Sequence, residues 1–172
     1  LACRAGDDDP FRLKGLPEAV DRLRQAVDRG EKVAVYGDFD ADGVTATTLL
    51  TETLAALGAD VMPYIPDRVD EGYGLNIEAL RGLYRQRVRL VVTVDCGIRS
   101  LEEVQAASRG LDLIVTDHHR PAEELPPALA VVNPKQPDCA YPFKELSGVG
   151  LAFKLAQGLL RASPPVEMRE EA

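Results

Sequence analysis

Short apolar runs of strand length recur along the chain, and each is separated from the next by a stretch of helix length with mixed polarity. Positions 33–36, 61–65, 90–94, 113–116 and 129–132 carry these runs, and Leu-Val-Val-Thr-Val at 90–94 shows no polar alternation. A strand with one wet face alternates polar and apolar residues, so an unbroken run fits a strand covered on both faces. Covered strands alternating with helices specify an α/β domain: a largely parallel, doubly wound, Rossmann-like sheet of about five strands with flanking helices.

The intervening segments carry helix signals. Pro17 is placed to open a helix, with Val20, Leu23, Ala26 and Val27 on one face and Gly30 as its stop. Val44, Thr47, Leu50, Leu54 and Leu57 recur at helical spacing over 43–57, ahead of Gly58. Asn76 is an N-cap residue for a helix reaching Tyr84, and Ser100 with Glu103 matches the S-x-x-E capping box for a helix reaching Arg109. Residues 147–161 are helical again. The expected organisation is a lead-in segment (1–16), one domain (17–161) and an acidic tail or linker (162–172). A start at Leu1 and an end in Ser-Pro-Pro followed by Glu167, Glu170 and Glu171 lead us to expect a piece of a longer protein.

Composition limits the function classes. With 172 residues, 45% of them hydrophobic, the chain is large enough for a core, since a domain of roughly 150 residues buries about 70% of its unfolded surface. No run approaches the roughly 18 apolar residues of a membrane span, and Asp7, Asp8 and Asp9 replace the basic-then-apolar pattern of a signal peptide, so a cytoplasmic setting is expected. Cys3, Cys96 and Cys139 are odd in number and include no CxxC pair, which points to reduced thiols rather than disulfides or a zinc ribbon. With 20 Lys and Arg against 28 Asp and Glu, the formal charge of −8 argues against charge-driven, nonspecific nucleic-acid binding.

Three of the runs lead into acidic or histidine clusters. The first precedes Asp38-Phe39-Asp40-Ala41-Asp42-Gly43, the third Asp95-Cys96-Gly97, and the fourth Asp117-His118-His119, which holds both histidines of the chain. Open α/β sheets bind ligands beyond the carboxyl ends of their strands, so all three clusters converge there. Carboxylates with imidazole and no thiolate pair suit Mn²⁺ or Mg²⁺, and so many neighbouring carboxylates repel one another unless cations neutralise them.

Simpler readings exist for each cluster. Asp38 to Gly43 matches the start of a calcium loop, but the closing Glu would fall at Leu49, and a strand rather than a helix precedes it. Asp38 alone could be a turn residue and Asp42 a helix N-cap; Asp95 alone could be a turn residue; two adjacent histidines alone could be solvated. Gly148-Val149-Gly150 is not preceded by a strand and has Phe153 where a third glycine of a dinucleotide fingerprint belongs, so it reads as a tight helix entry. Cys96 reads as a small packed residue. No P-loop, G-x-S-x-G or H-E-x-x-H is present.

Taken together, Asp38 to Gly43, Val94-Asp95-Cys96-Gly97-Ile98 and Asp117-His118-His119 resemble motifs I to III of the DHH phosphoesterase superfamily. Asp9-Pro10-Phe11, Leu13-Lys14-Gly15, Arg68 with Glu71-Gly72-Tyr73-Gly74-Leu75, Asn133-Pro134 and Leu146-Ser147-Gly148-Val149-Gly150 are similar to its RecJ-like branch, the single-strand-specific 5′→3′ exonucleases. The resemblance covers about residues 9–161. It implies a DHH domain with two Mn²⁺ (or Mg²⁺) ions that activate water against a phosphodiester of single-stranded DNA, in DNA repair and recombination. It further implies Asp38, Asp40 and Asp42 as metal ligands, Asp95 as a bridging ligand and His118 as a further ligand. Asp117 would orient the histidines, and His119 would ligate or donate to the phosphate. Arg68 would contact phosphate, Tyr73 would stack on a base or pack, and Lys135 with Lys144 would line the strand path. A single-strand-binding protein is the implied partner.

RecJ-like proteins also carry a fourth motif with another metal-binding Asp, after the helix corresponding to 147–161, and then a DHHA1 domain. Neither appears before Ala172, so weak Mn²⁺ binding and little processive digestion are expected of the 172 residues by themselves. Competing readings are a phosphodiesterase for short oligonucleotides or cyclic dinucleotides, a pyrophosphatase, a noncatalytic scaffold, and a receiver-like module. The receiver would place a Lys at a late strand end, and the His pair is foreign to it.

Overall fold

The computed structural model describes residues 9–67 and 74–162. The element order is α1 (Leu16–Arg29), β1 (Lys32–Tyr36), α2 (Ala41–Ala56), β2 (Val61–Tyr64), α3 (Ile77–Arg85), β3 (Val88–Val94), α4 (Leu101–Ala107), β4 (Asp112–Thr116), β5 (Ala130–Val132) and α5 (Gly148–Ala162). The five strands form one sheet in the order β2-β1-β3-β4-β5, and every pairing is parallel. This is the α/β fold that the alternation of runs predicts.

Side chains leave the strands toward two separate cores. Val33, Val35, Leu90, Val92, Val94 and Ile114 meet α1, α2 and α5 on one face, while Ala34, Tyr36, Val91, Leu113 and Val115 meet α3 and α4 on the other. Coverage of both faces explains why the runs are apolar without alternation. The strand order reverses between β1 and β3, and the loops there diverge to opposite faces, opening a crevice at the carboxyl ends of these strands.

Boundaries move by small amounts, for identifiable reasons. Helix α2 begins at Ala41 rather than 43, because Asp40, not Asp42, is the N-cap: its carboxylate accepts the Gly43 N–H. Asn76 caps α3 as predicted, accepting from Glu78 and Ala79. The predicted capping box at Ser100 is absent. Ser100 precedes α4 with ψ 58°, short of the extended backbone a capping side chain needs, and makes no side-chain cap bond. A lead-in segment is also too loose a description for residues 9–16: Pro10–Arg12 form a helical turn, and Leu13 and Leu16 are fully buried in the first core. Among the described residues, Cys96 and Cys139 are free thiols, and no helix is long and apolar enough to cross a membrane.

Candidate metal centre

Motif I leaves the sheet at the end of β1. Asp38 is 4% exposed, and its carboxylate accepts the Phe39 N–H at 2.7 Å, which turns the chain toward α2. Asp40 caps that helix through Gly43 at 2.9 Å. Gly43 lies so close to Asp38 that a Cβ there would stand 2.5 Å from its carbonyl oxygen, so only glycine allows the tight turn. Asp42, in the first turn of α2, accepts the N–H groups of Gly148 and Val149, each at 2.7 Å, through its two oxygens.

The second cluster follows β3. Asp95 is 2% exposed and adopts φ 63°, a left-handed conformation that Asp and Asn tolerate better than most side chains. The Thr93 hydroxyl donates to the Cys96 carbonyl at 2.7 Å and closes this turn. The third cluster follows β4, the neighbour of β3. Asp117 is buried; one oxygen accepts the Ile98 N–H at 2.9 Å, and the other accepts the His119 N–H at 3.0 Å and lies 2.8 Å from His119 Nδ1. A carboxylate only accepts, so Nδ1 carries the proton and Nε2 keeps a lone pair for a ligand. Asn133, fully buried just after β5, donates to the His119 carbonyl at 2.9 Å. Sequence reading attached no role to Asn133, and its only signal was the Asn-Pro pair at a strand end.

These loops assemble two ligand sets that share one residue. Potential ligand atoms of Asp95, His118 and His119 lie within 4.8 Å of one another, as do those of Asp38, Asp40 and Asp95. His118 Nε2 is 3.0 Å from Asp95 Oδ1 and 3.7 Å from Asp42 Oδ2, so Asp42 borders the first set. Although His118 is close, the contact lacks hydrogen-bond alignment, and Asp95 Oδ1 is a buried oxygen without a hydrogen bond among the described residues. Burial, reinforced by the charges of Asp42, Asp40 and Asp117 and opposed by His119, pushes the Asp95 carboxyl up to about 7. Burial also raises Asp38, with Asp40 and Asp117 adding to it and the Phe39 N–H opposing. An orphaned acceptor among mutually repelling carboxylates fits a divalent cation, which would supply the missing positive charge. The oxygen and imidazole donor set suits Mn²⁺ or Mg²⁺.

Other site expectations separate clearly. Arg68 and Tyr73 lie outside the described residues. Lys135 is half-buried with its ammonium 3.2 Å from Glu145, and the Lys144 ammonium donates to the Cys139 carbonyl at 2.7 Å. Cys96 is buried, and burial together with Asp117, Asp38 and Asp95 holds its thiol well above its ordinary range, as suits a packed residue rather than a nucleophile.

Residues 32–172 match the family model described as the DHH family, N-terminal domain. The chain belongs to the DHH family. Its similarity to the single-stranded-DNA-specific exonuclease RecJ of Bacillus subtilis is 54% identity over 157 residues, covering 91% of this chain and 20% of that protein. A crystal structure of exonuclease RecJ bound to manganese matches 90% of the chain at 43% identity with a TM-score of 0.79 and is itself covered to 40%. RecJ from Thermus thermophilus in complex with Mn²⁺ matches 89% at 41% identity and a TM-score of 0.73, with 22% of that chain covered. The chain therefore spans a fifth to about a quarter of the length of the curated relatives it matches. In this DHH chain the three motifs are the three loops that meet around Asp95.

Proposed function

We propose that this chain is the metal-bearing catalytic domain of a RecJ-type exonuclease, which hydrolyses single-stranded DNA from the 5′ end in cytoplasmic DNA repair and recombination. The observation that carries the proposal is Asp95, a buried carboxylate common to both ligand sets and holding an oxygen without a hydrogen bond among the described residues. Asp38 and Asp40 would hold one cation, His118, His119 and Asp42 the other, with Asp95 between them. When bound, two divalent cations supply a nucleophilic water at neutral pH and charge stabilisation for the attacking and leaving oxygens.

The chain's own residues set that geometry. Asp117 fixes the His119 ring and tautomer, so that Nε2 would be the nitrogen to ligate or, when protonated, to donate to a phosphate oxygen. Asn133 and Ile98 anchor the same loop from either side. Cations in an acidic cleft offset the formal charge of −8, so a polyanionic substrate is compatible with an acidic chain. Arg68 and Tyr73 are proposed to meet the DNA strand and Lys135 to border its path, with a single-strand-binding protein as partner. The receiver-like reading loses support because Lys135, the lysine nearest a late strand end, pairs with Glu145 instead of the acidic cluster.

The test is hydrolysis by the full-length protein of long single strands, duplexes, dinucleotides and pyrophosphate in Mn²⁺. Preferred digestion of single strands from the 5′ end, abolished by Asp95→Ala and by His118→Ala, is expected. Activity surviving either substitution would refute the metal assignment, and preference for dinucleotides or pyrophosphate would refute the substrate.

A further inference from the structure

Helix α5 meets the acidic crevice with its first turn, and the contacts made there are to carboxylates of the proposed centre. Gly148 and Val149 donate their N–H groups to Asp42 from 106 and 107 residues away in the chain, each at 2.7 Å. On the same turn, a Cβ at Gly148 would stand 2.6 Å from the Asp95 Cβ and 2.7 Å from its Cγ and Oδ1. Those carboxylates are the two that converge on His118 Nε2, at 3.7 Å and 3.0 Å.

We infer that the first turn of α5 is a positioning device for the metal centre, and that Gly148 is its central positioning residue. This inference rests on the metal reading given above. Two N–H donors fix the plane of the Asp42 carboxylate, which is only partly buried. The absent side chain at Gly148 lets this turn close over Asp95. Any larger residue there must displace Asp95, whose backbone is already left-handed, or lift α5 off Asp42; each movement separates ligands that must stay together. The helix is a rigid platform for the task, because Leu151, Leu155 and Leu159 are fully buried in the core shared with α1 and α2. Gly150, two residues along, faces no such demand: the nearest atoms to a Cβ there belong to the Leu146 and Ser147 side chains, at 3.3 Å and 3.5 Å.

Mn²⁺ titration calorimetry on the full-length protein separates the possibilities. Gly148→Ala should weaken Mn²⁺ binding about 10- to 100-fold, the range seen when groups supporting a metal ligand are lost, while Gly150→Ala should change it less than about 2-fold. Excess Mn²⁺ should restore hydrolysis in the Gly148 variant. Parent-like affinity in Gly148→Ala overturns the inference and leaves the metal reading standing, whereas failure of the parent to bind Mn²⁺ overturns both. Hydrogen exchange on the unsubstituted protein keeps the question open to refutation if Gly148→Ala does not fold. Added Mg²⁺ should slow exchange at the Gly148 and Val149 amides, and no change there while the Asp95 and His118 segments respond would overturn the inference.

Discussion

Replacing Asp95 by asparagine should make the metal-free protein more stable while destroying the site that the destabilising residue serves. Burial and neighbouring carboxylates raise the Asp95 carboxyl to about 7 from an ordinary 3.8. A group whose folded value is raised binds its proton more tightly in the folded state, so stability is highest at acid pH, falls as pH climbs from about 4 to 7, and carries the full penalty above that. At about 1.4 kcal/mol per pKa unit, three units correspond to about 4 kcal/mol at pH 8. Asparagine keeps the shape and accepts the left-handed backbone, but its buried amide retains about 1–2 kcal/mol of desolvation cost, leaving a net gain of about 2 kcal/mol. For a chain of this size that is a rise in Tm of about 4–8 °C. The assay is thermal denaturation in EDTA at pH 5 and pH 8, repeated with Mn²⁺. The parent should gain about 3 kcal/mol from Mn²⁺ at a hundredfold excess over Kd, and Asp95→Asn should gain nothing. A variant less stable than the parent in EDTA at pH 8, or a parent whose stability rises between pH 5 and pH 8, would refute the reasoning.

Three smaller perturbations probe separate parts of the account. Asp117→Asn puts an amide donor where one of the two accepting oxygens stood, against either the Ile98 N–H or the His119 N–H and ring, so DNA hydrolysis by the full-length protein should fall about 10- to 100-fold with circular dichroism unchanged. Asn76→Ala should cost about 1 kcal/mol in urea unfolding, because it removes a cap that satisfies two N–H groups, while Ser100→Ala should stay within about 0.5 kcal/mol; equal costs would show that the caps are misassigned. Arg22→Ala breaks a partly buried set of ion pairs with Glu31 and Asp112, and should cost about 1–3 kcal/mol in the same assay without altering Mn²⁺ affinity.

Much of the fold was legible because parallel strands covered on both faces leave continuous apolar runs, and some helices are punctuated by local signals, α1 by Pro17 and Gly30 and α3 by Asn76. The convergence of the three clusters was legible too, since every one of them stands at the carboxyl end of a strand. Long-range geometry was not. The strand order that puts β1 beside β3 has no local signature, and neither has the bond from Asp42 to Gly148 across 106 residues. Division of labour within motif I also escaped the sequence: three alternating aspartates look alike until one caps α2, one is buried beneath the loop, and one reaches α5. Ser100 and Glu103 have capping-box spacing, but the Ser100 N–H bonds back to the Gly97 carbonyl at 3.0 Å and holds Ser100 in a turn. The partners of Lys135 and Lys144, Glu145 and the Cys139 carbonyl, were not legible either, because they are set by folding.

The most direct measurement is anomalous scattering from crystals of the protein grown with Mn²⁺. Two peaks about 3.5–4 Å apart are predicted, with Asp95 touching both, Asp38 and Asp40 beside one, and His118 and His119 beside the other. A single peak, or two peaks neither of which touches Asp95, would contradict the account.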